Sequence, residues 1–366
     1  MSKNKKRVVI KIGTSILTES SGSISGSILE SLVGEVCSLL SEGHEVLLVT
    51  SGAIGAGIKE LNWEKRPEDI RKKQAAAAVG QVSLMQTYQN LFRNRGVHVA
   101  QVLLTRGDFD DRKRYLNARS TLLALLELGV VPIINENDTV SVEEIRFGDN
   151  DKLSALVAAK IDSDLLIILS DVDGLLMTVG KEKEIVPVVP EITSEIEKLA
   201  WKGSDSGQGT GGMASKIEAA KVATQSGVTM VVANGSRPGV LSDIVEGKSV
   251  GTKFVSAKSL SAKQRWILFG ALPKGEIAVD EGAARALRES KKSLLAAGIL
   301  KVEGHFRKGE IVKIRSGEEE IARGVASFSS DEIEKVKGKK SGEIREILGS
   351  SNSSEIVHRD SLVLLP

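Results

Sequence analysis

Short apolar runs alternate with longer segments of helical periodicity along roughly the first two thirds of the chain. The short runs end at glycine or polar residues, as buried strands do, and the longer segments repeat apolar residues every three or four positions. The predicted strands cover residues 8–12, 46–49, 97–104, 130–134, 165–169 and 228–233, and the predicted helices cover residues 24–40, 70–95, 117–128, 153–161 and 213–225. This alternation indicates an α/β fold, a three-layer sandwich in which helices cover both faces of a central, mainly parallel sheet.

The pattern changes after about residue 250, where the apolar runs shorten and no further strand–helix unit is visible. Short strands are predicted at residues 276–279, 298–302, 310–314, 321–325 and 362–365, with one helix near 281–288. A length of 366 residues also suggests two domains, at ~150 residues each. We therefore predict a first domain over residues 1–255, a linker over 256–274 and a small β-rich domain over 275–366.

Composition narrows the classes of function. Lys and Arg number 50 against 48 Asp and Glu, and this net charge of +2 argues against a dominant electrostatic role at nucleic acids or membranes. Cys37 is the only cysteine, which excludes an internal disulfide framework and a multi-cysteine zinc site. The uncharged segment 74–92 carries too many polar side chains to span a membrane. Because no targeting segment is visible either, we expect a cytoplasmic protein.

Several predicted strands end in polar or glycine-rich loops. These loops cover residues 13–15, 51–53, 135–138 and 170–174. In parallel sheets, ligands bind at the carboxyl ends of the strands. Four such loops together therefore predict a binding site at this edge of the sheet.

The segment 207–216, GQGTGGMASK, is the richest in glycine. Its glycines match GxGxxG, but no strand immediately precedes it and no acidic residue follows at the required distance, so it is not a dinucleotide fingerprint. It does open a predicted helix, whose N-terminal amides would bind phosphate, and Lys216 lies where it could reach a phosphoryl oxygen. The alternative is a glycine linker. No GxxxxGK[ST] motif occurs, so a P-loop enzyme is not indicated.

Lys11 is unusual because it lies inside an otherwise apolar strand. A buried lysine is costly unless it is paired with an opposite charge, and the alternative is an edge strand from which the side chain reaches water. Two acid–amide clusters, residues 135–138 and 148–151, could supply partners for lysines or for Mg²⁺. Two lysines, a glycine-rich loop and acidic residues would suffice for phosphoryl transfer.

The motifs together resemble the glutamate 5-kinases of the amino-acid kinase family. The segments that carry the resemblance span residues ~8–255 and read VVIKIGTSIL, VTSGAIGAG, LLTRGD, NARSTL, INENDTV, FGDNDKLSA, LSDVDGL and GTGGMASK. In the small domain, GEIAVDEGA, KVEGHFRKGEIV and ARGVASFSSDEI resemble the PUA domain of many bacterial members. The resemblance implies the amino-acid kinase fold and ATP-dependent phosphorylation of the γ-carboxylate of L-glutamate, the first step of proline synthesis.

The resemblance also implies roles for individual residues. Lys11 and Lys216 match two charge-neutralising lysines, and Asp151 matches the carboxylate that organises them, which makes these three the catalytic residues. The positions that match the glutamate site are Ser51, Asp138 and Asn150. The positions that match the nucleotide site are Lys11, Ser170, Asp171, Thr210, Gly211, Gly212, Met213, Ala214, Ser215 and Lys216. Ser170 departs slightly, since the family often has threonine there. No separate role follows for Asp149, and no residue is assigned as a metal ligand.

Further implications concern small molecules and partners. Mg²⁺ would accompany ATP, and proline would act as a feedback inhibitor near the glutamate site. The family often forms homo-oligomers, dimers or tetramers, and glutamate-5-semialdehyde dehydrogenase would be a partner.

Two alternative functions stay open from the sequence. One is a related kinase that acts on acetylglutamate or aspartate. The other is an RNA-binding protein that acts through the PUA domain. RNA binding is disfavoured because residues 275–366 contain 16 Lys and Arg against 16 Asp and Glu, and their only aromatic residues are Phe306 and Phe328.

Overall fold

The computed structural model describes residues 5–17, 25–140, 150–179, 182–202, 212–256, 260–348 and 355–365 of the chain. It divides into two compact units, Met1–Leu260 and Ser261–Pro366. The division falls inside the segment 256–274, which the sequence predicts as a linker. No helix among the described residues is long and apolar enough to cross a membrane.

An eight-stranded sheet forms the centre of the first unit, with the order β3-β4-β2-β1-β5-β9-β10-β8. All neighbouring pairs from β3 through β9 are parallel, whereas β10 runs antiparallel to β9 and β8 runs parallel to β10. The mainly parallel sheet predicted from the sequence is therefore confirmed. Its strands are β1 (Arg7–Ile12), β2 (Glu45–Val49), β3 (Val99–Leu104), β4 (Val131–Glu136), β5 (Leu165–Ser170), β8 (Val188–Val189), β9 (Thr229–Asn234) and β10 (Thr252–Phe254), and a separate hairpin pairs β6 (Leu176–Val179) with β7 (Glu182–Ile185).

Helices cover both faces of this sheet. Helices α2 and α10 pack on the face to which Val8, Ile10 and Ile12 of β1 point, and α7 packs against β1, β4 and β5 on the other face. The helices of this unit are α1 (Thr14–Leu17), α2 (Gly26–Ser41), α3 (Ala53–Glu60), α4 (Ile70–Arg93), α5 (Gly107–Asp110), α6 (Arg112–Glu127), α7 (Asn150–Lys160), α8 (Ser194–Lys202), α9 (Met213–Gln225) and α10 (Val240–Val245). All five predicted helices are present, whereas the sequence analysis missed the helices α1, α3, α5, α8 and α10 and the strands β6, β7, β8 and β10.

Two glycines allow α3 and α4 to cross in main-chain contact. A Cβ atom at Gly57 would lie 1.7 Å from the carbonyl oxygen of Ala76, and one at Gly80 would lie 1.9 Å from that of Ala53. Any larger residue would have to push the helices apart, because these neighbours are backbone atoms. The crossing brings the middle of α4 next to the start of α3, two residues beyond Ser51.

The second unit contains a five-stranded sheet with the order β13-β11-β14-β15-β17 and a short β12–β16 pair. The strands are β11 (Gly275–Val279), β12 (Leu294–Leu295), β13 (Ile299–Glu303), β14 (Ile311–Ser316), β15 (Glu319–Val325), β16 (Glu355–Val357) and β17 (Leu362–Leu364), and the helices are α11 (Ala262–Arg265), α12 (Glu281–Ser290), α13 (Ser330–Val336) and α14 (Ser341–Leu348). The unit has its own apolar core, which includes Ile277, Val312 and Ile356. The predicted small, strand-rich domain is confirmed, and its unpredicted additions are the helices α11, α13 and α14 and the short strands β12 and β16.

The segment between the predicted domains is partly helical. Helix α11 leads directly into a π-helical segment, Trp266–Gly270, which contacts β15 and β17. Arg323 of β15 donates a hydrogen bond to the carbonyl oxygen of Leu268 over 2.8 Å. Residues 262–270 thus pack as part of the second unit.

Candidate active site

A buried carboxylate lies between two buried lysines at the carboxyl edge of the first unit's sheet. Asp151 has no exposed surface, and Lys11 and Lys216 are 5% and 4% exposed. The Oδ1 atom of Asp151 lies 2.6 Å from the Nζ atom of Lys11, and its Oδ2 atom lies 3.1 Å from the Nζ atom of Lys216. The Ser215 hydroxyl also donates to Oδ2, over 3.1 Å. The three side chains predicted to be catalytic therefore form one buried cluster.

Strand alternation and helix packing bring this cluster together. Because Val8, Ile10 and Ile12 enter the core on one face of β1, the alternating residue Lys11 points to the opposite face, where α7 packs. Asp151 lies in the first turn of α7, where a carboxylate is stabilised by the helix dipole. The alternative of an edge strand for Lys11 is wrong, since β1 pairs with β2 on one side and β5 on the other.

The cluster carries a net positive charge. Burial by itself raises the pKa of Asp151, but the ammonium groups of Lys11 and Lys216 outweigh burial and hold the pKa of this carboxyl below its ordinary value. Asp151 therefore stays ionised near neutral pH, and one carboxylate between two ammonium groups leaves a charge of +1. A buried site with this charge favours an anion and strengthens its binding, because little water screens the attraction.

Two residues predicted to bind the nucleotide lie at the end of β5. Ser170 is the last residue of the strand, and Asp171 follows it. The Oδ1 atom of Asp171 accepts hydrogen bonds from the hydroxyls of Ser170, over 3.0 Å, and Ser15, over 3.2 Å. Ser15 follows β1, so this small network joins the loops after two neighbouring strands.

The other residues predicted to bind the nucleotide surround the start of α9. Gly212 is the N-cap of the helix, and its first four residues are Met213, Ala214, Ser215 and Lys216. The amides at the start of a helix lack acceptors within the helix and point to where an anion can bind. Thr210 and Gly211 lie outside the described residues.

The residues predicted to bind glutamate lie on three loops or helix starts. Asn150, the first residue of α7, donates through Nδ2 to the Ser51 hydroxyl over 2.9 Å and to the carbonyl oxygen of Thr50 over 2.7 Å. Asp138 is half-buried, two residues beyond the end of β4. Asp149 lies outside the described residues. The structure thus places Ser51 and Asn150 in contact, with Asn150 directly preceding Asp151 in the cluster.

Sequence reasoning missed further residues that contact this region. Asn135 accepts a hydrogen bond from Asn150 over 3.0 Å and donates one to Gln81 over 2.9 Å. The hydroxyls of Tyr88 and Thr50 are 2.9 Å apart. Asn135 belongs to the polar run 135–138 that the sequence singled out, but no local pattern distinguishes Gln81 or Tyr88 from other residues of a long helix.

Comparisons with known proteins agree with this architecture. Residues 6–234 match the amino acid kinase family and residues 275–348 match the PUA domain. A glutamate 5-kinase from Thermoanaerobacter sp. (strain X514) is 48% identical over 364 residues, which cover 98% of both chains. One from Moorella thermoacetica is 48% identical over 365 residues, 98% of this chain and 96% of the relative.

A solved structure shares the fold of the first unit. Carbamate kinase from Giardia lamblia bound to AMP-PNP aligns with a TM-score of 0.52 and 19% identity, over 70% of this chain and all of that one. At this identity the likeness concerns the fold alone. The resemblance inferred from the sequence motifs is confirmed by the family match and by the relatives at 48% identity. The chain belongs to the amino acid kinase family, and within that family to the glutamate 5-kinases that carry a C-terminal PUA domain.

Proposed function

We propose that this protein transfers the terminal phosphoryl group of ATP to the γ-carboxylate of L-glutamate, forming γ-glutamyl phosphate and ADP. The observation that carries the proposal is the buried cluster of Lys11, Asp151 and Lys216, with its net charge of +1. The relatives at 48% identity, which are glutamate 5-kinases, support glutamate over acetylglutamate or aspartate as the acceptor. These relatives also favour a kinase over an RNA-binding protein as the main function.

The chemistry of the acceptor explains why so few groups are needed. A γ-carboxylate is already ionised at neutral pH, so neither a general base nor a covalent nucleophile is required. The difficulty is to bring two anions together and to stabilise charge on the transferred phosphoryl group. Lys11 and Lys216 provide positive charge for that group, while Asp151 fixes the two ammonium groups in position.

The start of α9 would hold the phosphates of ATP. The amides of Met213 and Ala214 precede the first hydrogen bonds of the helix, which run from Ser215 and Lys216 to the carbonyl oxygen of Gly212. Their N–H groups and the positive end of the helix dipole favour a phosphate there. Lys216 follows within the same turn, so the nucleotide and the catalytic charge are held by one element.

Mg²⁺ would accompany the nucleotide. Among the described residues, no three His, Cys, Asp or Glu side chains are grouped to hold a metal ion. Mg²⁺ in nucleotide sites takes its ligands mostly from phosphates and water, with one or two protein carboxylates. Asp171, which lies beside Ser15 and Ser170, is suited to provide such a carboxylate. When bound, Mg²⁺ would neutralise phosphate charge.

We extend the proposal to regulation and partners on the strength of the resemblance to glutamate 5-kinases. Proline would inhibit the enzyme near the glutamate site. The chain would form dimers or tetramers in the cytoplasm, and its acyl phosphate would pass to glutamate-5-semialdehyde dehydrogenase.

ATP turnover with a panel of amino acids tests the reaction. With hydroxylamine present, glutamate is expected to give a hydroxamate, because an acyl phosphate reacts with this nucleophile. Reactions without an amino acid provide the background. A strong preference for acetylglutamate or aspartate would show that the acceptor is wrong, while the family assignment would stand.

Removal of the second unit is expected to leave this activity in place. Every described residue of the candidate site precedes Leu260, so a chain ending there should fold and form the hydroxamate at a comparable rate. A chain ending at Lys274 should be less soluble, because it would expose Trp266 and Ile267, which are buried in the second unit. Size-exclusion chromatography and the hydroxamate assay compare the two. A folded but inactive chain ending at Leu260 would instead mean that the second unit completes the site.

A further inference from the structure

A continuous chain of hydrogen bonds joins α4 to the loop that follows β2. The two hydrogens on Nδ2 of Asn150 are shared among three acceptors, the Thr50 carbonyl oxygen, the Ser51 hydroxyl and the Oδ1 atom of Asn135, at 2.7, 2.9 and 3.0 Å. Asn135 then donates through its own Nδ2 to the Oε1 atom of Gln81, over 2.9 Å. The Gln81 amide is thus linked to the Ser51 hydroxyl through only two side chains.

Backbone groups fix the direction of every amide in this chain. The backbone N–H of Glu136 donates to Oδ1 of Asn135 over 2.9 Å, and an N–H can only donate, so this oxygen cannot be exchanged with the nitrogen. The carbonyl oxygen of Thr50 can only accept, which fixes Nδ2 of Asn150 in the same way. Asn135 therefore presents its nitrogen to Gln81, and Gln81 must present its oxygen to Asn135.

This arrangement leaves the amide nitrogen of Gln81 without an acceptor among the described residues. This atom, Nε2, is buried. Leaving a buried amide donor unsatisfied is costly, and folded proteins contain few such groups. The hydrogen of the Ser51 hydroxyl is also not used by Asn150, because Nδ2 is itself a donor. Two neutral donors of one network, the Nε2–H of Gln81 and the hydroxyl of Ser51, therefore have no acceptor within the described part of the chain.

We propose that Gln81 is a glutamate-binding residue, whose Nε2–H donates to a carboxylate oxygen of the substrate next to Ser51. The inference rests on the glutamate site proposed above. A carboxylate oxygen is an acceptor without hydrogens, which is what two unused donors require. It also explains the close crossing of α4 over α3, since the crossing at Gly80 sets the next residue, Gln81, near the loop that carries Ser51.

Gln81→Glu tests this role separately from a supporting role for Asn135. The substitution keeps the oxygen that Asn135 needs, removes the N–H and adds a negative charge. We expect the KM for glutamate to rise about 10- to 100-fold, as for loss of a hydrogen bond to a charged group, while the KM for ATP and kcat at saturating glutamate change little. Gln89→Glu makes the same change at an exposed position of the same helix and should leave both KM values unaltered.

The outcomes separate this inference from the proposed function. An unchanged glutamate KM in Gln81→Glu overturns the role of Gln81, even if Gln81→Ala raises it, because only the contact with Asn135 would then matter. If Ser51→Ala raises the glutamate KM while Gln81→Glu does not, the glutamate site stands and the inference fails. If neither variant affects glutamate, the site itself is misplaced. Should Gln81→Glu fail to fold, Gln81→Met, which removes the donor and the Asn135 contact together, is compared with Asn135→Ala, which removes that contact but keeps the Gln81 amide. A glutamate KM that rises further in Gln81→Met than in Asn135→Ala supports the inference, and one that rises no further overturns it.

Discussion

Replacing Lys216 with alanine is expected to lower kcat by ~10²–10³ and to leave the glutamate KM nearly unchanged. The amides at the start of α9 would still hold the nucleotide, so the lost charge should matter most while the phosphoryl group lies between donor and acceptor. Lys11→Ala should act similarly from the other oxygen of Asp151. Steady-state kinetics with glutamate and ATP varied separately distinguish an effect on kcat from one on KM.

Two further variants sharpen this prediction. Lys216→Arg should restore little activity, because a guanidinium is broader and forked and does not match the compact ammonium beside Asp151. Lys221→Ala removes a lysine from the same helix that pairs with Glu197 and Glu218 outside the cluster, and should retain normal kcat. A Lys216→Ala enzyme with near-normal kcat, folded as judged by circular dichroism, would remove Lys216 from the catalytic residues.

Replacing Lys160 with methionine is expected to stabilise the protein. Lys160 ends α7 and is almost fully buried, and its Nζ atom has no hydrogen-bond partner among the described residues. It lies 3.9 Å from the ring centre of Phe109 and 4.5 Å from that of Tyr115. Burial lowers the pKa of this lysine to about 7, against a smaller opposing effect of the Asp108 carboxylate. The folded protein therefore binds the proton of Lys160 far less tightly than the unfolded chain does.

The stabilisation should depend on pH. Below about pH 7 both states are protonated, and the full cost of burying the charge is present, on the order of 5 kcal/mol for a pKa of about 7 against 10.5. Between about 7 and 10.5 the unfolded chain binds more protons than the folded protein, so the wild-type free energy of unfolding rises with pH. The Lys160→Met variant lacks this contribution, and its advantage of a few kcal/mol at pH 6 should shrink by pH 9.5.

Urea unfolding of both proteins at pH 6, 7.5 and 9.5 measures this difference. Lys221→Met serves as the control, since it removes a half-exposed, paired lysine whose contribution should be within about 1 kcal/mol at every pH. An advantage of Lys160→Met that stays the same from pH 6 to pH 9.5 would contradict the prediction, because it would reflect packing rather than a proton.

The elements that the sequence predicts well are those buried on both sides. Strand β5 reads as an uninterrupted apolar run, and helix α9 was predicted with the bounds Met213–Gln225 that the structure has. Strand β10 was missed because it has only three residues, too few to show an apolar pattern in the sequence, and it pairs antiparallel with β9. Helix α13 is also short, although its capping box of Ser329 and Glu332 was a usable signal.

The candidate site was predictable to the extent that its residues break a local pattern. Lys11 stands out because a charge in an apolar strand demands a partner, but the identity of that partner came from the family resemblance. Gln81 gives no such signal, because glutamine is ordinary on a helix. Its unused donor becomes visible only when Asn135 and the backbone of Glu136 are in place around it.

The contact between α3 and α4 at Gly57 and Gly80 has a consequence for how this enzyme could change its acceptor. Main-chain atoms, not side chains, set the gap between the loop bearing Ser51 and the helix bearing Gln81. Substitutions elsewhere on the two helices can therefore alter the polarity of the proposed glutamate site without altering its width. A longer or bulkier acceptor substrate would require the two helices to separate. Single substitutions in this fold can therefore change the acceptor only to one of similar molecular size.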